Sequence, residues 1–136
     1  MKTFITIVAG LLFSGLLLIG GVIDAIASDA TQAVADGGVT VKVTYLNPKG
    51  SDGARFQVAL DTHSVNLDSY DLKTMTVLRD DAGNAYAPAA VENKGSGHHR
   101  ETTVSFAKVA SGTKRVELVI KDVAGVKERI FRWDLE

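Results

Sequence analysis

Three histidines, His63, His98 and His99, are the residues of this chain best suited to chemistry, and each lies beside a turn signal. Imidazole nitrogens bind borderline transition metals, with Cu(II), Zn(II) and Ni(II) the natural candidates. Asp61, Glu101 and Asp122 are carboxylates that can complete such a set or orient a ring through its second nitrogen. His98 and His99 are adjacent, so an extended backbone turns them to opposite faces. The metal site this pattern predicts is therefore His63 with His98 or His99. A plainer expectation stands beside it. A His-His pair in a glycine loop is commonly just solvated, and His63 then only fixes its turn by bonding backbone. No H-E-x-x-H or C-x-x-C spacing sharpens the metal reading.

Other chemistries have less to build on. Asp61, His63 and Ser64 are the residue types of a catalytic triad, but neighbours along one strand do not converge as nucleophile, base and orienter. No G-x-S-x-G, phosphate loop or pair of catalytic carboxylates is present, so the chain is expected to be non-enzymatic. Arg100 reads either as a receiver for a partner's anion or as a surface arginine. Cysteine is absent, which excludes disulfides, thiolate zinc sites and the cysteine ligand of blue copper. The histidine-and-methionine copper carriers use several methionines. Here Met75 alone follows the leader, which argues against Cu(I) and leaves an imidazole or imidazole–carboxylate site for Cu(II) or Zn(II).

With 136 residues, 46% of them hydrophobic, there is enough chain for one core and too much apolar pattern for disorder. A net charge of −1 gives no basic excess, so nucleic acid is not an expected partner. Met1-Lys2-Thr3 is followed by an apolar run over residues 4–23, then Asp24 and Ala25-Ile26-Ala27. A basic start, an apolar stretch and a small-x-small tripeptide describe an export signal cleaved after Ala27, with Ala33-Val34-Ala35 as a second site. Twenty apolar residues also suffice for an uncleaved inner-membrane anchor, since about 20 residues span a bilayer. In both readings residues 1–27 place the domain outside the cytoplasm, periplasmic or secreted, and membrane contact comes only through this segment. Residues 28–37 read as a tether, leaving 38–136 for the folded domain.

The elements that must position the histidines are strands. Val39, Val41, Val43 and Tyr45 alternate with polar residues, as do Phe56, Val58 and Leu60. Further strands are expected over residues 73–79, 85–92 (an edge strand, because of Pro88), around Val104 and Phe106, over 116–121, and around Phe131 and Trp133. Asp80-Asp81-Ala82-Gly83-Asn84 is hairpin chemistry, and Asn93 to Arg100 reads as a polar loop. Tyr70 is placed to bond backbone at a corner. Seven short strands without an amphipathic helix indicate an all-β fold, an immunoglobulin-like antiparallel β-sandwich, with a partly open barrel as the alternative. If successive strands reverse, His63, the His98–His99 pair, the Asp122 turn and the tether's junction share one pole.

Leu60-Asp61-Thr62-His63-Ser64-Val65, the Leu78-Arg79-Asp80-Asp81-x-Gly83 turn, Gly97-His98-His99-Arg100 and Lys127-Glu128-Arg129-x-Phe131-x-Trp133 carry a resemblance. In these the chain resembles a family of small exported bacterial β-sandwich domains, over residues 39–135. The resemblance implies an extracytoplasmic sandwich and no particular activity. The function expected is thus a non-enzymatic interaction or accessory domain for a protein partner. Divalent-metal binding is the alternative.

Overall fold

The computed structural model describes residues 30–49 and 52–135. The signal or anchor expected over residues 1–27 lies outside them. Among the described residues nine strands form two antiparallel sheets: β1 (Thr31–Asp36), β2 (Val39–Tyr45), β3 (Arg55–Thr62), β4 (Thr76–Asp80), β5 (Ala85–Tyr86), β6 (Ala90–Ser96), β7 (His99–Ser105), β8 (Arg115–Val123) and β9 (Val126–Asp134). One short helix, α1 (Leu72–Met75), precedes β4. The sheets run β1-β2-β3-β7-β6 and β5-β4-β8-β9. Their apolar faces share one core, so the all-β, two-sheet expectation holds.

Alternation explains the central strands. Val39, Val41, Val43 and Tyr45 of β2, Phe56, Val58 and Leu60 of β3, and Val116, Leu118 and Ile120 of β8 are all buried in that core. At one end the Tyr45 ring stacks on Phe56 at 4.5 Å and meets Trp133 edge-on at 5.6 Å. Each such fully buried side chain contributes about 1.5–3 kcal/mol. No disulfide assists them.

Four local readings differ from the sequence expectation. The supposed tether supplies β1, which pairs with β2 from Thr31↔Thr44 to Asp36↔Val39. Its burial is nearly nil at every position, so no alternation advertised it. Gly37 and Gly38 turn the hairpin with φ of 63° and 80°, the double positive φ that a two-residue hairpin turn needs. The consequence is directional. Ala30 accepts a hydrogen bond from the Tyr45 N–H (2.7 Å), so the described chain begins at the pole opposite the histidines, not beside them.

The expected strand over residues 85–92 is two strands in different sheets, with the crossing made at the buried Pro88. The expected loop from Asn93 to Arg100 is mostly β6 and β7, joined by Gly97 and His98. The strand expected from Lys73 begins as α1 instead, because the Asp71 carboxylate caps it by accepting from the Lys73 N–H (3.0 Å). The Asp80 hairpin forms as expected. Its carboxylate accepts from the Ala82 and Asn84 N–H groups, the Asn84 amide and the Tyr86 hydroxyl. These bonds, the Asn84 side chain first, hold Asp80 below the usual carboxylate range.

Two arginines point inward. Arg100 donates to the carbonyls of Leu67 and Tyr70 (2.6 Å each) and to Asn93 Oδ1 (2.8 Å). Arg129 donates to the carbonyls of Val123 (2.8 Å) and Asp36 (2.6 Å). Arg100 is therefore neither an anion receiver nor a surface side chain; it staples the β3–α1 connection to β7. Arg100→Met would take a charged donor from three acceptors, leaving Asn93 Oδ1 with only the Thr102 hydroxyl and the Leu67 carbonyl with only the Tyr70 N–H. It is expected to destabilise the protein by about 3 kcal/mol, read as a lower urea midpoint. An unchanged midpoint would show that those acceptors find other donors.

Candidate functional site

Register brings the histidine motifs to one pole. Asp61 pairs with His99 across β3 and β7, Val39 pairs with Thr62, and the Thr62 N–H bonds the His98 carbonyl (3.0 Å). The β8–β9 turn arrives there too, since the Ala124 N–H donates to the Tyr70 hydroxyl (2.9 Å). Tyr70 thus bonds backbone as expected, although the turn it reaches is that of β8–β9.

The side chains at this pole part company. On β7, Arg100, Thr102 and Val104 face the core, so His99 and Glu101 face out from the five-stranded sheet. There the His99 Nδ1 contacts Asp61 Oδ1, and its Nε2 lies 3.6 Å from Glu101 Oε1. Gln57 donates to the other Glu101 oxygen (3.3 Å). The carboxylates raise the His99 pKa, the Asp61 hydrogen bond being the largest cause. Asp61 therefore does orient an imidazole, but that of His99.

His98 occupies the β6–β7 turn, where its Nδ1 bonds the Val65 carbonyl (3.1 Å). A carbonyl only accepts, so Nδ1 carries the proton and Nε2 is the open nitrogen. The turn is fixed further by Leu67 N–H to the Gly97 carbonyl (2.9 Å) and Gly97 N–H to Asp68 Oδ1 (2.7 Å). His63 is exposed in the bend after β3 and makes no hydrogen bond among the described residues. The turn-fixing role expected of it belongs to Thr62, whose hydroxyl donates to the Gly38 carbonyl and accepts from the Ser64 and Val65 N–H groups. Asp122 sits at φ 60° in β8 and joins none of these contacts.

The pole therefore displays one Asp61–His99–Glu101 array and two separate imidazoles. No group of three or more His, Cys, Asp or Glu placed to hold a metal ion occurs among the described residues. The array can hold a proton between two carboxylates, and across the β6–β7 ladder Ser96 stands opposite His99 and Lys94 opposite Glu101. Sequence reasoning missed the array because it assigned the shared role to His63. The opposite-face rule separates His98 from His99, but that His99 is the one beside Asp61 follows only from the β3–β7 register.

No family model, curated protein or solved structure matches the chain.

The array makes a signed prediction. A raised folded pKa gives stabilisation that is complete below the ordinary histidine value of 6.5 and is lost as pH rises through the folded value. Asp61→Asn is expected to lower the His99 pKa in an NMR titration. It should also be most destabilising near about pH 5, with its gap from wild type narrowing toward about pH 8. A gap that widens with pH would contradict the pairing.

Proposed function

We propose that the chain is a non-enzymatic interaction domain working outside the cytoplasm, immunoglobulin-like in topology, which engages a protein partner by strand addition at β1. The observation that carries this reading is the edge position of β1, which pairs with no strand beyond β2 among the described residues. Tyr45 and Ala30 form a hydrogen-bonded pair, and such pairs alternate along an antiparallel ladder. Gln32, Val34 and Asp36 therefore bond β2, while the N–H and C=O groups of Thr31, Ala33 and Ala35 point away from the sheet.

This edge lacks the usual guards. Lys, Pro and inward charges blunt free edges in native sheets. The β6 edge carries Glu92 and Lys94, β9 carries Lys127, Glu128 and Arg132, and β5 has two residues only. β1 offers Thr-Gln-Ala-Val-Ala before its single Asp36, with Val34 among the exposed large apolar residues. A peptide adding there would gain main-chain hydrogen bonds and contact with Val34.

The immunoglobulin-like assignment rests on strand order. With β2 as the first strand, β2-β3-β7-β6 against β5-β4-β8-β9 matches the A-B-E-D and C′-C-F-G order of that fold, with β1 added outside A. The extracytoplasmic assignment rests on the basic start, apolar run and small-x-small site of residues 1–27.

Ala33→Pro tests the edge cleanly. Its N–H faces away from β2, so proline removes an edge donor and leaves the β1–β2 ladder whole. With a photo-crosslinking residue at position 35 of the full chain, expressed and exported in cells, a protein adduct is expected that Ala33→Pro abolishes. An adduct indifferent to the proline, or no adduct, would overturn strand addition.

The metal alternative has one observation in its favour: register delivers all three histidine positions to one pole. It needs His63 and His98 or His99 to turn toward a common ion. Calorimetric titration with Cu(II) and Zn(II), repeated on His63→Ala, decides it. Saturable heat lost in the variant supports the reading, and heat that is absent or unchanged removes it.

A further inference from the structure

The pole opposite the histidines holds a cleft of about 310 Å³, at the small end of the range for ligand sites. Tyr45, Ala54, Val109 and Leu135 supply its apolar lining, and Lys49 and Lys108 line it with cationic side chains. We propose that this cleft binds a small carboxylate ligand with an apolar body, its carboxylate received by Lys49, Lys108 and the Tyr45 hydroxyl.

Tyr45 is the observation that points to a ligand. It is only 6% exposed, its ring is packed between Phe56 and Trp133, and its hydroxyl has no hydrogen-bond partner among the described residues. Among the described residues only Thr76 Oγ1 and Arg129 Nε are buried side-chain polar atoms without a partner, so the Tyr45 hydroxyl opens onto the cleft that the residue lines, where it is an available donor on a fixed ring. Burial raises the Tyr45 pKa, which keeps that proton in place at neutral pH. Of the charged residues lining the cleft, Asp52 opposes the two lysines, so one positive charge remains for a monoanion.

The walls are preformed. Between β2 and β3, Asn47 donates to the Gly53 carbonyl (2.9 Å) and accepts from the Arg55 N–H (2.8 Å). Gly53 lies so close to the chain leaving β7 that a Cβ there would stand 1.8 Å from the Phe106 carbonyl oxygen. Across the cleft, the Thr113 hydroxyl and N–H both bond the Ala110 carbonyl, and the Ala110 N–H bonds the Tyr86 hydroxyl. A ligand entering this space meets walls that need little ordering, which is where affinity is most easily lost.

The site is independent of the β1 edge, and its test is separate. Benzoate is the probe, followed by ¹H–¹⁵N NMR on the full chain, with benzyl alcohol as the neutral analogue. Saturable shifts are expected at Ala54 and Ser111 to Thr113, weakening as salt is added. The double change Lys49→Ala with Lys108→Ala should weaken binding about tenfold, the effect of roughly 1.4 kcal/mol. Tyr45→Phe keeps the ring and should weaken it severalfold; ring-current shifts at Trp133 check that the packing survives. Failure to saturate, equal binding of benzyl alcohol, or insensitivity to these variants would overturn the proposal.

Discussion

Two inward arginines are the constraint on which the histidine pole depends. A guanidinium in a sandwich interior is tolerable only when its donors are met, because an unmatched buried charge is far more expensive than an unmatched amide. Arg100 meets this by gathering two carbonyls of the β3–α1 connection and the Asn93 side chain. Asn93 Oδ1 also accepts from the Thr102 hydroxyl, so the network crosses from β6 to β7. Arg129 does the same for the β8–β9 and β1–β2 turns, although its Nε has no partner among the described residues. Burial accordingly lowers its pKa. Between them the two side chains tie three connections, and the Asn93 side chain of β6, to one end of the core.

That arrangement decides what the histidines can do. Loops held by buried charge-assisted bonds do not readily rearrange around an ion. His98 is fastened to Val65, and His99 is fastened to Asp61 on the outer face. The opposite pole is built on other terms. Its connections rest on the Asp80 carboxylate, which gathers the β4–β5 hairpin and the Tyr86 hydroxyl, and on neutral bonds from Asn47 and Thr113. The Tyr45–Phe56–Trp133 aromatic cluster packs beneath them.

How much of this was legible in the sequence follows from which residues are buried on one side only. Val39 to Tyr45 and Phe56 to Leu60 alternate because one face meets the core and the other meets water, and both strands were read correctly. β1 and β6 are exposed on both faces, so burial imposes no pattern on Gln32 to Ala35 or Glu92 to Gly95, and they read as tether and loop. Pro88 was a true signal given too small a meaning: it marks a change of sheet, not merely an edge. The pole shared by the histidines was legible from strand parity. The partner of Asp61 was not, because choosing between His63 and His99 takes the register, which is set by long-range pairing. Arg100 was invisible for a related reason. Nothing in Gly-His-His-Arg announces that its last residue turns inward to meet carbonyls 30 residues away.

The hairpin of β1 also changes how the domain presents itself. Had the folded part begun at Val39, the preceding chain would leave from the histidine pole. Reversal at Gly37 and Gly38 carries it back along the edge instead, so that Ala30 stands beside Tyr45 at the cleft pole. The distance between the two junctions is the length of β1, roughly 20 Å at 3.4 Å per residue. A two-glycine turn thus exchanges which end of the sandwich holds the first described residue, Ala30. It puts the Tyr45 cleft at that end and leaves the Asp61–His99–Glu101 face, with the unguarded β1 edge running between them, toward the far side.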